Sequence, residues 1–305
     1  MGSWGTGLYS GDFAMDLRGT IGAVARLPFD ADRLVEILCE SAAAARNPEQ
    51  EDYTTFWLVV ADQFAKRGII SNGAREKALA IIDSGSDLAN LSKLGMKPKD
   101  LSKRQRMHAD LRARLTMKPE AAKSRPVLKK PQPFLMEVGE AFVYPTSGGE
   151  CINSYYASKD KIPGWSQDGW GAAIMVERGR VFDFLVWYRP LVISYARTEK
   201  PSLTQLRLEP LWVFKGPGTC SKVHFKRLEL EKVGDVEIDT DKLARSFPDR
   251  GSGRWAAVND LSITNALSVG PKVPAVLMPA PGQPLNFSRG RPFRTIASLD
   301  EILSG

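Results

Sequence analysis

The pattern of apolar residues in this chain breaks at Thr116. Before it, apolar positions recur every three or four residues; after it, short β-branched and aromatic runs are separated by turn residues. Between the two lie residues 117–133, with four prolines (Pro119, Pro126, Pro131, Pro133), five basic residues and little apolar beyond Val127 and Leu128. Such a stretch buries too little apolar surface to offset ordering entropy and reads as a semi-rigid, solvated linker. At 305 residues the chain is also about twice a typical domain of ~100–150 residues, which makes the break a domain boundary. The expected architecture is α+β: a helical domain over 1–116, a basic proline-rich linker over 117–133, and a mostly antiparallel β barrel or sandwich over 134–305.

In the first block, Phe13, Leu17, Ile21 and Val24 mark one face of a helix that Ser10 is placed to cap and Pro28 to end. Asp30 sits at a cap position before Leu34, Val35, Ile37 and Leu38, and Asn47-Pro48 stops that run. Asp52 precedes the stripe Phe56, Trp57, Val60 and Phe64, with Gly68 where a left-handed C-cap is wanted. Ser71 starts a fourth helix that Gly85 ends. A last helix over 101–115 sets Leu101, His108, Leu111 and Leu115 opposite its arginines. The second block gives strands at 140–144, 172–176 and 181–188, the last two joined as a hairpin about Glu177-Arg178-Gly179-Arg180. Further strands are expected at 205–208, 211–215, 223–231 and 236–238, an extended segment from Pro271 to Pro292, and a short closing helix over 296–303.

The net charge is +7, but residues 97–130 alone hold twelve Lys/Arg against Asp100, Asp110 and Glu120, which leaves the rest of the chain at −2. The basic excess is one stretch and not a basic surface. It contains no Phe, Tyr or Trp on which a base stacks, so nucleic-acid contact through Lys103, Arg104 and Arg106 is expected to be weak, electrostatic and nonspecific. Cys39, Cys151 and Cys220 are far apart, lack C-x-x-C spacing and read as reduced thiols. No apolar run reaches the ~20 residues of a membrane span, and the start lacks a basic-then-apolar leader, so a cytoplasmic protein with no membrane partner is expected.

The common hydrolase, metalloprotease, NTPase and dinucleotide motifs are missing, so no catalytic residue, metal or cofactor is assigned. His108 falls on the basic helix, and His224 lies between Val223 and Phe225 in an expected strand. Glu140 with Glu150, or Asp168 with Asp183, would supply acid–base chemistry only if the fold brought either pair into an apolar pocket. Two short strings are more distinctive. Trp4-Gly5-Thr6-Gly7 is either a ligand-binding loop, its glycines allowing close backbone approach, or the anchor by which Trp4 pins the terminus into the helical core. In Pro163–Gly171, Trp165 and Trp170 flank Asp168; the indoles either pack beneath a glycine-rich loop as a plug or stand out as interface anchors.

The blocks Met1–Gly7, Asp12–Leu17, Phe56–Asp62 and Lys77–Gly85 together resemble a bacterial family of unknown function (domain of unknown function 4259) over residues 1–115. The resemblance implies a small helical fold and carries no agreed activity. In the second half, Val138–Pro145, with Val233–Val236 and Asn259–Ile263 downstream, is similar to segments of barrel-like immunity proteins of bacterial toxin systems. That likeness implies neutralisation of a partner by binding, without chemistry. The functional expectation is therefore a non-catalytic module with a protein partner. The alternatives are a nonspecific nucleic-acid-associated protein and a carboxylate-based enzyme of the β domain.

Overall fold

The computed structural model describes residues 5–117, 125–193, 198–209, 212–246, 251–268 and 295–297, so Trp4 and the segment 271–292 lie outside the described residues. The chain is of the α+β class and divides into two compact units, Met1–Lys130 and Pro131–Gly305.

The first unit contains α1 (Asp12–Val24), α2 (Ala31–Ser41), α3 (Tyr53–Lys66), α4 (Asn72–Ser84), α5 (Ser86–Lys93) and α6 (Pro98–Thr116). Their ends follow local chemistry. The Asp30 side chain accepts from the Arg33 N–H at 2.8 Å to start α2, and Ser71 accepts from the Ala74 N–H at 3.3 Å to start α4. Gly68 and Gly85 both take φ +68°, and the Ile69 N–H reaches back over Gly68 to the Phe64 carbonyl at 2.9 Å. Ser10 does not cap α1; Gly11 holds that position, and the Ser10 hydroxyl accepts from the Gly7 N–H instead. Helix α3 is the axis of the unit. Phe56, Trp57, Leu58, Val59, Val60 and Ala61 are all buried because α1, α4, α5 and α6 pack around them. A helix enclosed on several sides needs apolar residues all round, which is why its pattern is broader than one stripe.

Helix α6 turns Arg104, His108, Leu111 and Leu115 inward, so Arg104 belongs to the buried face and not with the exposed arginines. The described end of the proline-rich stretch makes specific hydrogen bonds. The Arg125 guanidinium donates to the carbonyls of Leu27 and Phe29, and the Leu128 N–H reaches the Arg26 carbonyl at 2.7 Å.

The second unit contains β1 (Glu140–Ser147), β2 (Glu150–Cys151), β3 (Gly169–Val181), β4 (Leu185–Ile193), α7 (Leu203–Arg207), β5 (Trp212–Phe214), α8 (Lys222–Arg227), β6 (Glu231–Asp235), α9 (Thr240–Ser246), α10 (Gly253–Val258), α11 (Thr264–Leu267) and β7 (Thr295–Ala297). The strands form one antiparallel sheet in the order β2-β1-β3-β4-β5-β7, and β6 pairs β1 along Glu140–Val143. Both faces of the sheet are buried. Phe142, Tyr144, Ala173, Met175 and Tyr188 enter one core with Ile263 and Leu267; Ala141, Val143, Ala172, Ile174 and Leu191 enter the other with Leu206 and Leu243. Alternate residues thus serve opposite cores, which makes the strands read as continuous apolar runs.

The hairpin of β3 and β4 turns at Phe182-Asp183, both left-handed at φ +52° and +61°, and not at 177–180. Residues 177–180 remain strand because Glu177 faces Arg189 across the ladder, its carboxylate 2.8 Å from the buried Arg189 Nε. Two expected strands are helices. Ser202 and Gln205 form a reciprocal capping box that starts α7, and the Ser221 hydroxyl accepts from the His224 N–H to start α8. His224 is therefore helical. The strand expected over 236–238 lies instead at β6, and Ile296 is in a strand where a helix was expected.

Gly169, Trp170 and Gly171 open β3 and are not part of a loop. Gly171 lies under the Tyr144 ring, where a Cβ would stand 2.4 Å from Cε2, and the Tyr144 hydroxyl is held by the Leu267 carbonyl at 2.8 Å. Gly171→Ala is expected to lower the stability of the sheet unit by about 1–3 kcal/mol through overpacking. Urea unfolding followed by circular dichroism checks this, and an unchanged midpoint would contradict it.

Candidate functional site

A cleft of about 710 Å3 in the helical unit brings together three residues singled out in the sequence, Thr6, Lys103 and Arg104. The starts of α1, α3 and α6 line it at Gly11, Asp52 and Lys97, and none of the three is capped by its own N-cap side chain. Positive helix ends would draw an anion, but Asp12, Glu51, Asp52 and Asp100 line the same cleft and supply the counter-charge from within. Burial, with Glu51 beside it, raises the Asp52 carboxyl above its usual value. Lys103 is paired with Asp100 at 3.3 Å. Among the described residues of the cleft, four carboxylates stand with Lys97, Lys103 and Arg104.

Beneath it lies a fully buried carboxylate, Asp87. Thr54 Oγ1 donates to it at 2.9 Å, Arg104 Nε at 2.9 Å, and His108 Nε2 lies 2.9 Å from the same carboxylate. Burial alone would raise the Asp87 carboxyl; the His108 imidazole at 2.9 Å and the Arg104 charge outweigh it and hold the group at about 2, below its ordinary 3.8. Arg104 Nη1 also donates to the Gly7 carbonyl at 2.9 Å, which fixes the glycine-rich loop. Its charge is therefore committed inside the unit, and Arg104 does not serve an exposed phosphate-binding arm. Arg112 and Arg114 are likewise paired, with Asp83 at 2.8 Å and Asp62 at 2.6 Å. Of Lys103, Arg104 and Arg106, only Arg106 is exposed without a carboxylate partner among the described residues.

In the sheet unit Asp168 closes the turn between β1 and β2: its Oδ2 accepts from the Gly148 N–H at 2.8 Å, and its N–H donates to the Thr146 carbonyl at 3.0 Å. Trp165 and Trp170 are both half-buried, with Lys159 Nζ 5.8 Å and Lys200 Nζ 5.3 Å from their rings. Trp170 packs against the second core. Neither indole stands out from the surface. The carboxylate pairs do not meet. Asp168 and Asp183 flank opposite ends of β3, which spans about 40 Å, and Glu140, seven residues from the hairpin position opposite Glu150, is held by Lys232 at 2.8 Å.

The exposed chemistry of this unit lies elsewhere, at residues that no motif in the sequence marks. Tyr155 is 64% exposed, Val223 55% and Tyr156 39%. The Tyr155 ring meets the His224 ring edge-on at 5.3 Å, and Arg227 Nη1 donates to the Ser154 carbonyl at 3.1 Å, so the turn 153–156 is fastened to α8. Phe225 anchors α8 from below, edge-on to Phe142 at 6.0 Å. Lys222 and Lys226 are exposed and have no carboxylate partner among the described residues, whereas Lys159 is paired with Glu229 at 2.9 Å. Burial lowers the His224 imidazole, and Asp260 nearby opposes that shift. The only sequence signal for this face was the tyrosine pair beside Asn153-Ser154, and α8 hid the rest by reading as a strand. Among the described residues no group of His, Cys, Asp and Glu is arranged to hold a metal ion, and no helix is long and apolar enough to cross a membrane.

The Asp87 arrangement yields a direct test. Asp87→Asn leaves the Arg104 charge buried without its counter-ion and is expected to cost about 3 kcal/mol or more, read from the urea midpoint of the helical unit. In the unaltered protein the carboxylate stabilises the fold above pH 3.8, and that contribution is lost as pH falls towards about 2. The variant should show a flatter stability curve across that window.

No family model matches the chain, and neither a curated protein nor a solved structure matches it.

Proposed function

We propose that the protein acts by binding, without chemistry of its own, and that the sheet unit docks the acidic surface of a protein partner. The observation that carries this reading is the exposure of Tyr155, Tyr156 and Val223, with Tyr155 against His224 of α8, and of Lys222 and Lys226, which have no carboxylate partner among the described residues. Tyrosine and arginine are the side chains from which interface hot spots are built, because they cover large apolar area and keep a polar tip. The uncompensated lysines favour a partner of opposite sign and speed its encounter.

In its most specific form the reading is an immunity-like protein that neutralises a toxin by direct contact. The similarity of Val138–Pro145 and Val233–Val236 to barrel-like immunity proteins supports it, and those two segments are neighbours in the sheet. Trp165, Asp168 and Trp170 then serve the frame of the face and not its contacts.

Placing a photo-crosslinking benzoylphenylalanine at position 155 in cells is expected to trap a discrete protein. The combined change Lys222→Glu and Lys226→Glu should weaken that capture by about tenfold or more with melting unchanged. A cross-link to nucleic acid, no cross-linked protein, or a yield indifferent to the charge reversal would each overturn the proposal.

A further inference from the structure

Four cations of the helical unit gather around one phenol ring, that of Tyr9. Lys66 Nζ lies 5.2 Å and Arg18 Cζ 5.5 Å from its centroid. The Tyr9 hydroxyl donates to Asp62 Oδ2 and accepts from Gln63 Nε2, and the side-chain oxygen of Gln63 accepts from Arg67 Nη1. Asp62 in turn is held by Lys66 at 2.7 Å and by Arg114 at 2.6 Å. Arg18 of α1, Lys66 and Arg67 at the end of α3 and Arg114 of α6 thus each meet the Tyr9 side chain directly or through one residue.

The charges of this cluster do not balance. Asp62 is the single carboxylate paired with any of the four among the described residues, which leaves an excess of three positive charges. Asp62 is buried with both oxygens taken, so what reaches solvent is cationic: Arg18 is exposed, and Lys66 and Arg114 are about half-exposed. The negative ends of α3 and α6 favour Lys66, Arg67 and Arg114 where they stand, but not Arg18 in the middle of α1. Arg67 reaches across to the face that Arg18 occupies. Gly22 lies one turn after Arg18 on α1, and a Cβ there would stand 3.9 Å from Arg67 Nη2. Burial lowers the Arg67 guanidinium, and the Arg18 charge adds to that shift. Two guanidiniums brought together without a carboxylate for either repel each other until an external anion joins them.

We propose that Arg18 and Arg67, with Lys66 beside them, bind a phosphomonoester dianion. Arg18 has no hydrogen-bond acceptor among the described residues, and of the Arg67 nitrogens only Nη1 has one, so both side chains keep N–H groups in the planar arrangement that matches phosphate oxygens. A carboxylate ligand would cancel one of the three excess charges, whereas the phosphate dianion cancels two. The contact of Arg18 with the Tyr9 ring holds its guanidinium in place before the ligand arrives, which lowers the entropy lost on binding.

The test is titration of the full-length ¹⁵N-labelled protein with phenyl phosphate at constant ionic strength and about pH 7.5, where the ester is largely a dianion, observing the backbone amides of Arg18, Gly22 and Arg67. Saturable shifts are expected, with a dissociation constant of about 1 mM. Arg18→Gln and Arg67→Gln should each weaken binding by about fivefold, as for exposed charge contacts. Phenyl sulfate, of the same shape with a single charge, should also bind about fivefold more weakly, and Arg106→Gln, an exposed charge elsewhere on α6, should leave binding unchanged. Arg18 is exposed, so Arg18→Gln and phenyl sulfate keep the test decisive if Arg67→Gln does not fold. Shifts that do not saturate, an equal response to phenyl sulfate, unchanged binding in Arg18→Gln, or an equal loss in Arg106→Gln would overturn the proposal.

Discussion

A carboxylate withdrawn from water at Asp87 sets the terms for the helical unit. Its desolvation is tolerable only because Thr54 on α3 and Arg104 and His108 on α6 all reach it, and α5 must therefore sit where both helices can. Arg104 extends the same arrangement to the chain before α1 by donating to the Gly7 carbonyl. One buried charge thus ties the glycine-rich loop, α3, α5 and α6 into one packing. Asp62 repeats the device at the other side of α3. It is buried, bonded to Arg114 and Lys66 and to the Tyr9 hydroxyl, and these partners hold its carboxyl low against the effect of burial.

This is also where the sequence is least legible. The basic stretch 97–130 reads as a solvated cationic arm because its carboxylate partners are remote: Asp87 lies 17 residues from Arg104 and Asp62 lies 52 from Arg114. Composition shows twelve basic residues there and cannot show which of them are spent on tertiary ion pairs. The helix caps are the opposite case. Asp30, Ser71 and Gly85 act within three residues of where they stand, and each does what its local pattern suggests.

The sheet shows the same division. The strands and the hairpin are legible because β-branched and aromatic runs of that length fit a buried ladder. The exact turn is not, since Glu177–Arg180 looks polar and turn-like until Arg189 on the next strand provides Glu177 with a partner. Segments 203–207 and 222–227 were ambiguous for a different reason: runs of five or six residues carry too little period to separate helix from strand, and the deciding groups were the capping hydroxyls of Ser202 and Ser221. The candidate site was hidden behind that ambiguity. With His224 alternating in a strand, Val223 and Phe225 would share a face; in α8, Phe225 goes to the core and Val223 to solvent.

What distinguishes the tyrosine face from other exposed apolar residues is how little freedom it retains. The turn 153–156 is closed by Asn153, whose Oδ1 accepts from the Tyr155 N–H at 3.1 Å and whose carbonyl accepts from the Tyr156 N–H at 3.1 Å. Below it the buried Ser154 hydroxyl joins Thr264 at 2.8 Å, and Ser262 donates to the same Thr264 oxygen at 2.8 Å. A partner that docks on Tyr155 and Tyr156 meets side chains whose backbone is already ordered, so less conformational entropy is lost on association than for a free loop. The helical unit matches many of its charges internally, with three arginines of α6 on three aspartates. In the sheet unit Lys222 and Lys226 are exposed without a carboxylate partner among the described residues, near a tyrosine on an ordered turn, and the proposed docking of an acidic partner rests on that combination.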